Sequence, residues 1–291
     1  MMKGRILPLF VCLVSCLRAD PELIAAEAPE FIRVEEAEGS TQLQTAVVHF
    51  TKGDVTVDLV GAVHIADKKY YEELNERFES YESLLFEGVG GGKPVDVPAE
   101  PLEVLPEVAE ADAPKRKGDL SGLHAAYESG ARWLGLSYQM KEIDYRKANF
   151  VHADLTMEEF TTLQEERGET LIGFVLKAGL EAPKGKPVKE PSSFRLLTSL
   201  IRGDKNGLKR ELVHSLGAGD DQVAGLAGDN VIIGDRNVKC LEVLDREVLA
   251  GKKKLGIFYG AAHFPDMEKR LLEDGWEETG IEWLTAWEIG E

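Results

Sequence analysis

Two histidines of this chain follow strand-ending glycines at one distance. In VDLVGAVHIADKKYY (Val57 to Tyr71) Gly61 precedes His64 by three residues, and in LGIFYGAAHFPDMEKRL Gly260 precedes His263 by three. With 29 glycines and 6 histidines in 291 residues, about 0.6 Gly-x-x-His matches arise by chance, so the bare pattern is weak. Its context is stronger, because both copies stand at the C-terminal end of an apolar strand and just before a helix, where open α/β sheets bind ligands. Glu87, directly after the apolar SLLF, ends another such strand. If these strands are neighbours, two imidazoles and one carboxylate converge. His64, Glu87 and His263 then make an adequate ligand set for a catalytic divalent metal, with positions left open for water and substrate. The same residues would also serve without metal, a histidine acting as general base and Glu87 orienting or polarising it.

A further group is Asp235-Arg236-Asn237. If residues 230–250 form one helix, Asn237 falls inside the arc of Val231, Val238, Leu241, Leu244 and Val248, with Arg236 on its flank. A buried amide needs a partner, and the crevice can supply one. Arg236 and Asn237 are therefore expected to stabilise an oxyanion or fix a substrate. Other histidines read more plainly: His49 lies in a strand, His124 and His214 in helical patterns. In IDYRKANFVHADLT, residues Asp144, Tyr145, His152 and Asp154 make a polar stretch between helices that could line the site, but helix capping by Asp154 or Thr156 is the more ordinary use.

The elements that must position these groups follow from periodicity. Thr45 to Phe50 and Val55 to Gly61 read as two strands around a turn at Gly53. Tyr71, Leu74, Phe78 and Tyr81 give a helix with Asp67 as its expected cap, and SLLFE a buried strand. Strand, helix and strand in about thirty residues predict a βαβ unit with parallel strands. Residues 88–118, glycine-rich and then acidic with five prolines, predict a mobile loop. Residues 119–229 read as mostly helical, including a capping box at Thr156 and Glu159. KLGIFYG, PDMEKRLLEDG and IEWLTAWEI then predict strand, helix and strand. The expected fold is α/β, a mixed sheet of two βαβ-type halves (about 43–90 and 230–291) with a helical cap inserted between them.

The formal charge of −18 repels phosphate backbones and no basic stripe offsets it over the chain, which argues against nucleic acid as a partner. Lys3 and Arg5, the apolar run ILPLFVCLVSCL and the polar RADPE that follows predict a signal peptide over 1–19 and an exported protein. The run is shorter than the ~20 residues of a permanent span. Two processing routes stay open: a cut after Ala19, or a lipobox, LVSC, with a lipid anchor on Cys16. Residues 20–42 read as an acidic linker. Cys240, outside the leader, sits in an apolar helical pattern and is expected to be a buried thiol.

GAVHIADKKYYEEL, LLFEG, GDRN at the start of a long helix, YGAAHFPDM and the closing TAWEI together resemble the TraB/PrgY/GumN family, which includes the Tiki proteases. The similarity runs from about residue 43 to the C-terminus. It implies a fold related to the erythromycin-esterase-like and ChaN-like proteins, with His64, Glu87, Arg236, Asn237 and His263 at active-site positions. Tiki members imply a metal-dependent, peptidase-like hydrolase supported by Mn or Co, Zn being a further divalent candidate, and a peptide or peptide-like substrate. TAWEIGE lacks the C-terminal span of anchored relatives, so any membrane association is expected through Cys16. Two alternatives stand beside this reading: a metal-free esterase-like hydrolase using the same residues, and a non-catalytic binder that sequesters a peptide or small ligand.

Overall fold

The computed structural model describes residues 31–90, 121–169, 192–224 and 230–290. The chain is mixed α/β, with a seven-stranded mixed sheet, a separate two-stranded sheet and eight α-helices among the described residues. The strands are β1 (Ile32–Ala37), β2 (Ser40–Lys52), β3 (Val55–Ala62), β4 (Ile65–Ala66), β5 (Ser83–Phe86), β6 (Ser137–Tyr138), β7 (Phe150–His152), β8 (Lys254–Gly260) and β9 (Glu277–Gly290). The helices are α1 (Lys68–Phe78), α2 (Ser121–Leu134), α3 (Gln139–Glu142), α4 (Met157–Arg167), α5 (Ser193–Arg202), α6 (Lys205–Ala224), α7 (Arg236–Leu249) and α8 (Phe264–Glu273).

The long strand β2 organises one side of the sheet. Along one edge it pairs antiparallel first with β1, through residues 40–45, and then with β3, through residues 47–52. Its other edge takes β9, also antiparallel. From β3 the sheet continues in parallel through β8, β5 and β7. Every strand but β2 therefore points the same way, and the C-terminal ends of β3, β8, β5 and β7 share one edge. The two predicted crossovers are present as β3-α1-β5 and β8-α8-β9, interleaved because β8 inserts between β3 and β5. Central strands buried on both faces read as near-continuous apolar runs. Leu59, Val60, Leu84, Leu85, Leu255, Ile257 and Phe258 are accordingly buried, as are Tyr70, Tyr71, Leu74 and Phe78 of α1, whose Phe78 packs on Phe258.

Two boundaries differ from the sequence expectation. Residues 32–42, read as part of a linker, form β1 and the start of β2. Phe31 and Ile32 bury themselves in the core while Glu35 and Glu36 are exposed, so burial falls off along the strand behind an acidic composition that hides its start. The segment 119–229 is not wholly a helical cap, because Phe150–His152 is a strand of the main sheet, parallel to β5. The expected signal peptide (1–19), residues 20–30, and the expected loop from residue 91 onward lie outside the described residues. Asp67 does stand at the N-cap of α1, but its carboxylate makes no cap bond. It accepts instead from Glu288 N (2.6 Å) and Lys209 Nζ (3.3 Å), tying α1 to β9 and α6. Thr156 and Glu159 do form the capping box of α4. Among the described residues no helix is long and apolar enough to cross a membrane.

Candidate active site

The register of β3 and β8 places the two Gly-x-x-His units side by side, with Ala62 opposite Gly260. Neither glycine adopts positive φ; Gly260 has φ −53. At Gly61 the constraint is space, since a Cβ would lie 3.1 Å from the Ala46 carbonyl oxygen. Beyond the glycines the paths diverge. After Gly260 the chain turns at once into a 3-10 turn, Ala261–His263, and then α8, which carries His263 inward until it is 4% exposed. After Gly61 the chain stays extended into β4, which pairs with β6, and the His64 carbonyl accepts from Gln139 N (2.9 Å). The His64 side chain is exposed.

The hydrogen bonds fix the protonation of His263. Asn237, fully buried on the first turn of α7, donates through Nδ2 to the His263 carbonyl (3.0 Å) and to Asp266 Oδ2 (2.8 Å). Its Oδ1 is thereby turned to the ring, 2.6 Å from His263 Nδ1, so Nδ1 carries the proton and Nε2 offers a lone pair. Burial, and then the charge of Arg236, hold the imidazole well below its usual pKa, so His263 is neutral.

Arg236 fills the space in front of that lone pair. Its Nε donates to Asp154 Oδ1 (3.0 Å), and its Nη2 to Asp154 Oδ2 (2.7 Å) and Glu87 Oε2 (3.1 Å). Its Nη1 reaches the Ile232 carbonyl and His263 Nε2, both at 3.4 Å. All five guanidinium N–H groups are used. Burial opposes the Arg236 charge, but Asp154, joined by Glu87, outweighs it and raises the pKa. Glu87 is also held at Oε1 by Gly260 N (2.8 Å). Asp154, with a fully buried side chain, accepts further from Gly88 N and Leu155 N, both at 2.7 Å.

This arrangement corrects three sequence expectations. His64, Glu87 and His263 do not assemble as a metal-ligand trio: among the described residues no group of three His, Cys, Asp or Glu side chains is placed to hold a metal ion. The physical reasons are that the His64 side chain is exposed and that the guanidinium of Arg236 stands beside the 3.8 Å gap between Glu87 Oε2 and His263 Nε2, donating to the first and facing the second. A cation there would meet like charge and would have to break satisfied hydrogen bonds. Arg236 and Asn237 likewise have no oxyanion-binding geometry, since the one has no uncommitted N–H and the other is buried. They are positioning residues, Asn237 for His263 and Arg236 for Glu87. Asn237 is in the buried stripe as expected, with Leu244 but also with Cys240 and Val243; Val238 is exposed, because it stands about 100° round α7 from Asn237 on the side away from Cys240 and Val243.

What reaches solvent at this edge is His64, one side of Glu87, and a residue that sequence reasoning missed. Tyr127 of α2 packs on His64, ring centroids 4.7 Å apart, and stacks on Tyr138 of β6. Burial, and then the negative charge of Glu87, raise its pKa, which keeps the phenol protonated and a hydrogen-bond donor. Tyr127 thus packs on the exposed imidazole while feeling the charge of the held carboxylate. Asp154, of the two uses its loop offered, takes the site-lining one: its carboxylate holds Arg236, and Thr156 is the helix cap. Cys240 is buried, and burial pushes its thiol pKa up, which makes it an inert structural group.

Comparison of the chain with protein-family models, with curated proteins and with solved structures returns no match.

Proposed function

We propose that the crevice at the C-terminal ends of β3, β8 and β5 is the active site of a metal-independent, acid–base hydrolase, with an amide or ester of a peptide-like molecule as substrate. The observation that carries this reading is the coexistence of an exposed imidazole, a protonated phenol packed on it, and a carboxylate held by Arg236 and Gly260 N. His64 takes a proton from water as general base and returns it to the leaving group. Tyr127 donates to the carbonyl oxygen as negative charge develops there. Glu87 orients the attacking water and stabilises the imidazolium formed on His64. The Asp154-Arg236-Glu87 chain and the Asn237-His263 pair keep that carboxylate in place. The motif order, the interleaved crossovers and the mixed sheet support membership of the TraB/PrgY/GumN family, with a ChaN-like or erythromycin-esterase-like core and export through the N-terminal leader.

The test is a panel of peptide amides and carboxylic esters turned over by the native protein, by His64→Ala and by Tyr127→Phe, each with and without a strong chelator. Turnover that survives chelation, vanishes in His64→Ala and falls about 10²- to 10³-fold in Tyr127→Phe is expected. Activity lost to chelator and restored by Mn, Co or Zn sinks the metal-free assignment. A second reading has one observation in its favour: the His64 ring makes no hydrogen bond to a carboxylate among the described residues. A binder needs none, and would deplete a peptide stoichiometrically instead of catalytically.

A further inference from the structure

Helix α5 turns its apolar side away from the protein. Phe194, Leu197, Leu200 and Ile201 are 74%, 54%, 42% and 76% exposed. A single exposed leucine is ordinary, but four large apolar side chains within one 120° arc of a ten-residue helix are not. The orientation is fixed from the other side. Ser199 is buried against α6 at Gly207, where a Cβ would come within 2.4 Å of Ser199 Oγ, so the two backbones meet closely with the arc facing out. Both helix ends are closed: Ser192 Oγ accepts from Arg195 N, and Gly203 at φ 67 ends the helix.

The charge around this arc is opposite to that of the molecule. Residues 193–210 contain five Lys or Arg and one Asp, net +4, whereas the rest of the chain carries −22; Lys209 is buried on Asp67, Arg195 pairs with Glu211 and Arg210 donates to the Gly290 carbonyl, so the exposed positive charge beside the arc rests on Arg202 and Lys205. Arg195 and Arg202 lie together on one flank of the arc, some 80–100° from Phe194 on the helical wheel. Both are exposed, as is Lys205 just beyond the helix end. Apolar side chains on a convex ridge bordered by long cations fit the interfacial layer of a bilayer, where the rings and branched chains enter the acyl boundary and the arginines reach headgroup phosphates.

We infer that α5 docks the protein onto a membrane surface rich in anionic lipid. The inference is independent of the chemistry at the His64 crevice. The full chain also carries the apolar run Ile6–Leu17, which would bring it to vesicles unaided, so the measurement is made at α5 itself. Leu197→Trp supplies the reporter, titrated with vesicles of phosphatidylcholine mixed with phosphatidylglycerol and bearing bromine-labelled acyl chains. Blue-shifted emission and quenching are expected, weakened by salt and by phosphatidylcholine alone. Adding Phe194→Glu and Ile201→Glu should raise the half-saturating lipid concentration at least about tenfold with the thermal midpoint unchanged. Four results overturn the inference: no quenching at any lipid concentration; emission already blue-shifted without lipid, which means that the chain itself covers the face; a doubled mass in solution that falls to monomer in the Glu variant, which makes the occupant a second copy; or a lowered thermal midpoint in the Glu variant.

Discussion

Replacing Asp154 with alanine tests the proposition that Arg236 is a structural cation held for the benefit of Glu87. The substitution removes the two carboxylate oxygens that take three of the guanidinium hydrogen bonds, and strands the Gly88 and Leu155 amides. Breaking one partner of a buried ion pair costs about 3–5 kcal/mol. Glu87, 3.1 Å from Nη2, still offsets part of the charge, which places the expected loss near the lower end, about 3 kcal/mol. With a urea m-value of about 3 kcal/mol/M, the midpoint falls by about 1 M. Trp287 and Trp276, both buried, report unfolding by fluorescence. Arg236→Met is also costly, because it leaves Asp154 and Glu87 facing each other as like charges. The double variant should then be about 1–3 kcal/mol more stable than the two single losses imply. A loss below about 1 kcal/mol in Asp154→Ala, or additivity within about 0.5 kcal/mol, refutes the reasoning.

His64→Ala should abolish turnover while leaving stability close to native, whereas Leu85→Ala, in a fully buried strand, should cost about 2–5 kcal/mol; chemical denaturation of both, beside an activity assay, checks this. His263→Ala is expected to behave like the leucine variant in stability, since its ring is buried and bonded to Asn237. The depressed pKa of His263 makes the unfolded chain take up a proton that the fold refuses as pH falls below 6.5, so its share of stability, complete above that pH, declines by about 1 kcal/mol between pH 6.5 and 5.5; His263→Gln should flatten that part of a stability-against-pH curve. Glu268 has the opposite sign: burial and then Glu278 raise its pKa from 4.5 to about 7, so stability is lost as pH rises through that window. Glu268→Gln should therefore stabilise the protein above pH 7, by less than about 1 kcal/mol given its partial exposure, and bring no gain at pH 4.5; paired thermal melts decide it.

Long elements with a single period were legible in the sequence. β2, β3, β5, β8 and β9, and helices α1 and α8, follow directly from apolar runs or 3.6-residue stripes, and α4 from its capping box. Short or one-sided elements were not. β7 has three residues, β4 and β6 have two each, and β1 has one buried residue, Ile32, ahead of its glutamates; pairing with distant partners, not local propensity, makes these segments strands. The insertion of β8 between β3 and β5 joins residues nearly 200 positions apart, and no local pattern encodes it. At the site, the clustering of Glu87, Arg236, Asn237 and His263 was legible from strand ends and the helix wheel. The identity of each partner was not. Asp154 has the sequence context of a cap, and only the fold shows that it neutralises Arg236 and so denies that cation to a substrate.

The repeated Gly-x-x-His unit shows why equal spacing does not confer equal chemistry. A strand-ending glycine sets where the chain leaves the sheet, but the residues after the histidine set which way its ring faces. His263 is followed by Phe264 and Pro265, which start α8 immediately; Phe264 anchors in the core against Phe31, and the imidazole is drawn in with it to meet Asn237. His64 is followed by Ile65 and Ala66, whose pairing with Tyr138 and Ser137 keeps the backbone extended for two more residues, so the ring emerges on the outside of the turn. That short pairing also brings Tyr138, and Tyr127 stacked on it, to the exposed imidazole. The two-stranded sheet β4-β6 thus separates the two rings: one imidazole is buried against Asn237, and the other is exposed at the same sheet edge, where the proposed hydrolysis would use it.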